Sequence, residues 1–257
     1  MKKLILLVLL SVVFIPAGIS QNTGHVEGGA YSKKTSYNLI GQGDKLYNLS
    51  DKSVLDRVLF GMTNSFVEYV FKGPFDNSEV LALRIVADEQ TGSYRLDIMK
   101  MQNMDNVSKM IRDLEAETGE INIPGKLQAQ LSPQILEKIR KHNKDVFYNA
   151  LHSDEPYKQY RPEAKTFNIS KELAEKLHGK MASLIQNFTG KGNQAIIADG
   201  NTMTFRCVTG DEVHSLSVHC PRNAASLLSD ACIDIINSYE ENPDNTRYIE
   251  LLDKIDL

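Results

Sequence analysis

The chain has no tryptophan, only three cysteines and, beyond its first twenty residues, no long apolar run. A helix needs about 18 to 20 apolar residues to cross a bilayer, so the body of the protein is not expected to be membrane-integrated. Without an indole platform there is little to stack a sugar on, although ten tyrosines remain. Basic residues are not in excess either. The formal net charge is −4, a sign that excludes general nucleic-acid binding and weighs against general attachment to anionic membranes. Motif chemistry is also missing. There is no Gly-x-Ser-x-Gly elbow, His-Glu-x-x-His pair, P-loop or dinucleotide fingerprint, so no cofactor or metal is expected.

What is present begins with an address. Lys2 and Lys3 precede an apolar stretch from Leu4 to Ile15, Pro16 ends it, and Ala17-Gly18-Ile19-Ser20 offers small residues for cleavage after Ser20. An apolar segment of about a dozen residues is too short to span a hydrocarbon core of ~30 Å, so residues 1–20 read as a secretory signal. No cysteine follows on which a lipoprotein could be acylated, which places the product in the periplasm or beyond. Removing the two lysines takes the net charge to about −6 and leaves about 235 residues, enough for one large domain.

The Gly-, Ser- and Thr-rich stretch 21–36 lacks apolar periodicity and reads as a flexible N-terminal arm. Residues 37–257 read as a single α+β domain. A short helix is expected over 50–60. Phe66 to Phe71 then forms a strand, and Leu81-Leu83-Ile85 and Tyr94-Leu96-Ile98 alternate with polar residues around a Gly-containing turn, the signature of a hairpin. Val107, Met110, Ile111 and Leu114 mark a following helix. A helical insert covers 131–190, with Ser132-Pro133 and Ser170 as start signals. Ala195 to Ile197 reads as a strand. A second hairpin alternates through Met203, Phe205 and Cys207 and through Leu216 and Val218, ahead of a Leu-rich helix after Pro221. Two βββα units are therefore expected, at 64–118 and 194–239, in an antiparallel sheet with amphipathic helices on one face.

The segment from Thr166 to Tyr239 carries a Ser-capped helix (Phe167-Asn168-Ile169-Ser170-Lys171-Glu172-Leu173), the turn and strand Asp199-Gly200-Asn201-Thr202-Met203-Thr204-Phe205, and a strand ending at Pro221. It resembles a broad group of exported uncharacterised proteins of Bacteroidetes bacteria. That group usually has an aromatic and a Ser before the proline, where this chain has His219-Cys220. The resemblance brings no functional residue with it.

Cys207, His214, His219 and Cys220 invite a zinc reading. Pairing Phe205 with Leu216 puts Cys207 opposite His214 and leaves Cys220 roughly 20 Å away at ~3.3 Å per residue, too far for a closed site. Cys207 lies among core positions, which speaks against a Cys–His nucleophile. Cys207 and Cys232 either bridge or remain buried thiols, and Cys220 stays unpaired. The more telling polar feature is Arg84 and Arg95 on the face opposite the apolar rows, with Arg206 at the matching place in the second hairpin. Pairing Leu83 with Leu96 sets Arg84 across from Arg95, an opposition that Asp97 or an anionic ligand would offset. These residues point to an exported, non-enzymatic binding module for a protein or an anionic ligand. A periplasmic hydrolase with a site assembled from dispersed residues is the alternative.

Overall fold

In the computed structural model, the described residues are 22–26, 30–38, 40–42, 45–47, 52–74, 79–88, 90–102, 104–152, 155–188 and 200–257. The leader 1–20 and the strand expected at 195–197 lie outside them. The chain opens with strands β1 (Asn22–Val26), β2 (Ala30–Asn38), β3 (Ile40–Gln42) and β4 (Lys45–Tyr47). Helix α1 (Val54–Phe60) leads into β5 (Val67–Lys72), β6 (Val80–Asp88), β7 (Ser93–Met101) and helix α2 (Met104–Thr118). Helices α3 (Gly125–Gln128), α4 (Pro133–His152) and α5 (Glu155–Lys158) precede β8 (Lys165–Ile169) and α6 (Lys171–Asn187). The chain closes with β9 (Thr202–Thr209), β10 (Glu212–His219), α7 (Asn223–Ser238) and α8 (Asn245–Asp253).

The fold is α+β. Eight strands form one sheet in the order β1-β2-β10-β9-β5-β6-β7-β8, and every recorded pairing is antiparallel. β3 and β4 pair separately. The two expected hairpins therefore share one sheet, with β5 wedged between them. The stretch read as a flexible arm instead supplies β1 and most of β2. Its sequence shows no apolar alternation, but the open edge of β10 supplies ladder partners for its backbone groups.

One face of the sheet carries the apolar rows expected from the sequence. Leu81, Leu83 and Ile85 join Met203, Phe205, Leu216 and Val218 beneath Leu173, Leu177 and Met181 of α6 and Leu228, Ala231 and Ile235 of α7. Tyr248 and Leu252 of α8 complete this core. Ser170 caps α6 by accepting from the Leu173 N–H at 3.1 Å. The Tyr69 hydroxyl meets Ser229 Oγ at 2.6 Å, so the buried phenol has the partner it needs.

Helices cover the second face too, where the sequence reading placed them on one. Val70, Val80, Ala82 and Met99 form a second core with Val58, Leu59 and Phe60 of α1, Val107, Met110 and Leu114 of α2, and Tyr157 of α5. The reason lies in the rows. Across the sheet, Ser217, Thr204, Val70, Ala82 and Met99 stand in direct register. Apolar side chains at the β5–β7 end require cover and hydroxyls at the β9–β10 end do not. The helices after the two hairpins, α2 and α7, thus lie on opposite faces.

Candidate functional site

The second face is crossed by a continuous polar row: Ser215 on β10, Arg206 on β9, Glu68 on β5, Arg84 on β6, Asp97 on β7 and Thr166 on β8. Charges alternate along it, so each cation lies directly opposite a carboxylate. The expected opposition of Arg84 and Arg95 does not occur. Leu83 pairs with Ile98 rather than Leu96, which sets Arg84 across from Asp97.

Asp97 collects the β6–β8 end of the row. Arg84 Nε donates to its Oδ2 at 2.8 Å, Arg95 Nε to its Oδ1 at 3.0 Å, and Thr166 Oγ1 to Oδ1 at 2.9 Å. Burial works against the Asp97 carboxylate, but the hydrogen bonds from Arg84 and Arg95 outweigh it and hold its pKa below the ordinary range. Arg84 also donates through Nη1 to the carbonyl of Phe60 at 3.1 Å, tying the end of α1 to the sheet. These arginines are fastened internally, so the argument from their opposition to an anionic ligand falls. Arg206 does not extend an exposed basic row with them either, because it is only 2% exposed beneath α1.

Arg206 belongs to a buried ion cluster that the sequence reading missed. Its Nη2 lies 3.2 Å from Asp56 Oδ2 and its Nε 3.5 Å from Glu68 Oε2. Lys52 completes the set, with Nζ 2.8 Å from Glu68 Oε1 and 2.7 Å from the carbonyl of Thr63. Burial pulls the Lys52 ammonium below its ordinary pKa against the opposing pull of Glu68. Two cations and two carboxylates leave no net charge, the condition under which such a group tolerates burial. Asp56 has a second task. It forms a capping box with Ser53, whose backbone N–H donates to Asp56 Oδ2 at 3.0 Å while its hydroxyl oxygen accepts from the Asp56 N–H at 3.2 Å. The Ser-x-x-Asp spacing ahead of an apolar run and a lone Glu inside Val67-Glu68-Tyr69-Val70 were the available signals. Only the fold joins them to Arg206.

Beside this cluster, over the hydroxyl-bearing half of the sheet, lies a groove of about 350 Å³. Thr202, Thr204, Ser215 and Ser217 line it from β9 and β10, Asp56 and Arg206 from the cluster and Ser53 from the cap of α1, while Val54, Leu55, Val70 and Ile111 give it an aliphatic flank. Lys72 and the exposed Glu115 of α2 add one charge of each sign. Each hydroxyl can donate and accept, so the surface presents both senses of hydrogen bond with little net charge. Among the described residues, no histidine or cysteine lines it. The Ser53 hydroxyl donates to Asp56 Oδ2 at 2.8 Å, and the same oxygen also accepts from the Ser53 N–H and faces Arg206, so the contact belongs to the helix cap and the ion cluster.

The cysteines stand apart from the groove. Cys207 lies opposite His214 in the expected register and is fully buried, and burial pushes its thiol up to about 11. Cys232 is buried in the same core, and burial raises its pKa further. All three cysteines are free thiols, which selects the unbridged alternative for Cys207 and Cys232. Cys220 is half-buried at the end of β10 with φ of 50°, where its N–H donates to the Asn201 carbonyl at 2.8 Å. Among the described residues, no helix is long and apolar enough to cross a membrane. No family model matches the chain, and no curated protein or solved structure matches it either.

Proposed function

We propose that this protein is an exported, non-enzymatic binding module, and that its ligand is a small polar molecule held in the groove over β9 and β10. The observation that carries the reading is the composition of that groove: hydroxyls on a rigid sheet and charges of both signs, set against the aliphatic side chains of Val54, Leu55, Val70 and Ile111, with neither histidine nor cysteine lining it among the described residues. Ligand sites have volumes of about 300 to 1,000 Å³, and this one falls near the lower end. The neutralised cluster at its edge favours a neutral or zwitterionic ligand over a strongly anionic one. Among the described residues no aromatic side chain lines the groove, so recognition rests on hydrogen bonds and aliphatic contact rather than stacking. A hydrolase would need a nucleophile held against a base and free to act, whereas the Ser53–Asp56 contact in the groove is the N-cap of α1 and the same carboxylate is engaged by Arg206. Export rests on the pattern of residues 1–20.

A thermal-shift screen of the processed protein tests the reading, with neutral polyols, free amino acids and short peptides set against citrate and phosphate. A ligand at a hundredfold excess over Kd stabilises by about 2.7 kcal/mol. The shift should disappear in a Thr204→Val, Ser217→Ala variant whose own Tm is close to that of the parent. A ligand that stabilises both proteins equally would move the site elsewhere.

A further inference from the structure

The second face explains α1, α2 and α5, and the first face explains α6, α7 and α8. That leaves α4. It runs from Pro133 to His152, yet among its described side chains, residues 133–146, not one is buried. A helix of this length in a folded domain ordinarily sets an apolar stripe against a core. Here the stripe exists, with Ile135, Ile139 and Val146 on one side at about 3.6 residues per turn, but among the described residues neither core receives it. The segment before α4 folds back on it. The Asn143 side chain accepts from the Ile121 N–H at 2.8 Å and donates to the Ile121 carbonyl at 3.0 Å, and His142 meets the Gly119 carbonyl at 2.9 Å. These contacts hold a lobe, residues 119–146, whose shape does not depend on burial in the body. Its apolar tips face outward: Ile121 is 44% exposed, Leu127 50% and Ile135 45%.

The charge of this lobe is opposite to that of the chain. Residues 119–146 carry the cations Lys126, Lys138, Arg140, Lys141 and Lys144 against Glu120, Glu137 and Asp145, a net of +2 in a chain of −4. All eight side chains are exposed. Lys138 and Arg140 flank the apolar stripe on either side. Lobe-to-lobe pairing of two copies would bring +2 against +2, so a second copy is a poor occupant. A protein groove that accepts a helix reads a line of anchors along that helix. Here the exposed anchors are split between the 121–127 segment and α4, and the loop contact at Asn143 interrupts the stripe. Separate aliphatic tips with Lys126, Lys138 and Arg140 beside them suit a soft anionic surface, where the tips enter the interfacial layer and the long cationic stems reach the headgroups.

We infer that the 119–146 lobe docks this protein on an anionic lipid surface, through Leu127, Ile135 and the cations beside them. This attachment is peripheral and independent of the groove.

Vesicle co-sedimentation tests it, using the protein without residues 1–20, which contribute no element of the described fold. Retention should be about tenfold greater on vesicles of phosphatidylethanolamine and phosphatidylglycerol than on phosphatidylcholine, and should fall as salt rises. Leu127→Asp with Ile135→Asp should abolish it, and Lys126→Gln, Lys138→Gln and Arg140→Gln together should reduce it by a similar factor. Because these side chains are exposed, both variants should keep the parent's melting profile. Equal retention on both kinds of vesicle, or retention that survives the aspartate substitutions, overturns the inference. So does capture by immobilised polyglutamate with no retention on vesicles, which would identify an acidic protein as the partner.

Discussion

Lys52 Nζ lies 2.8 Å from Glu68 Oε1, and both side chains are only 1% exposed. The pair anchors the segment ahead of α1 to the middle of the sheet. Glu68 is also the only carboxylate in the polar row between Arg206 and Arg84, so it serves more cations than Lys52 serves anions.

The two partners should therefore differ in what they cost when removed. Glu68→Gln leaves Lys52 and Arg206 short of charge in a buried site and should destabilise by about 3–5 kcal/mol. Lys52→Met leaves Glu68 still facing Arg206 and should cost clearly less. Urea unfolding of both variants gives the order, and a larger loss in Lys52→Met would contradict this account of the cluster.

Asp97 makes acid stability predictable in sign. Its folded carboxylate is held below the ordinary unfolded value of about 3.9. Its contribution is thus complete above that pH and is lost as the pH falls through the folded value. The urea midpoint should decline below about pH 4, and Asp97→Asn should lower the neutral-pH midpoint and flatten the decline. A variant with an unchanged acid slope would assign the loss to other carboxylates.

Thiol chemistry should separate the three cysteines cleanly. Cys207 and Cys232 are buried with raised pKa values, whereas Cys220 is half-buried at a strand end. Iodoacetamide on the native protein should label Cys220 alone, and all three should react in urea. Peptide mapping that finds native Cys207 modified would place an opening in the main core.

Gly200 offers a steric test at the same corner. A Cβ there would lie 2.0 Å from Cys220 Sγ and 2.8 Å from the His219 ring. Gly200→Ala must displace one of them, at a cost of about 1–3 kcal/mol, and should speed Cys220 labelling. Unchanged labelling together with unchanged stability would show that the contact relaxes freely.

Much of the first face was legible because alternation and capping are local signals. Phe205 opposite Leu216 and Ser170 at the start of α6 followed directly from them. The β6–β7 register did not. Pairing Leu83 with Leu96 or with Ile98 differs by two residues, and a two-residue shift keeps every side chain on its own face. Apolar patterning cannot separate those registers, and the turn decides. Asp88 accepts from the N–H groups of Gln90 and Thr91, and Gly92 turns at φ of 66°, which sets Asp88 opposite Ser93. That is also why Arg95 was misplaced against Arg84. The groove was hidden for a different reason: its hydroxyls look like an ordinary solvated strand face until α1 and α2 stop short of them.

The Asp56–Arg206 contact joins residues 150 positions apart, whereas Lys52 and Glu68 are separated by only 16. Closing so long a loop carries a larger entropic penalty, so the distant partner is expected to arrive late. α1, β5, β6 and β7 form a local unit that can assemble while the C-terminal third is still being made. Until β9 arrives, that unit holds two acidic groups without the arginine that balances them, and β5 keeps an open edge. The charges of this buried network are therefore balanced only when β9 has joined the sheet, which requires nearly the whole chain.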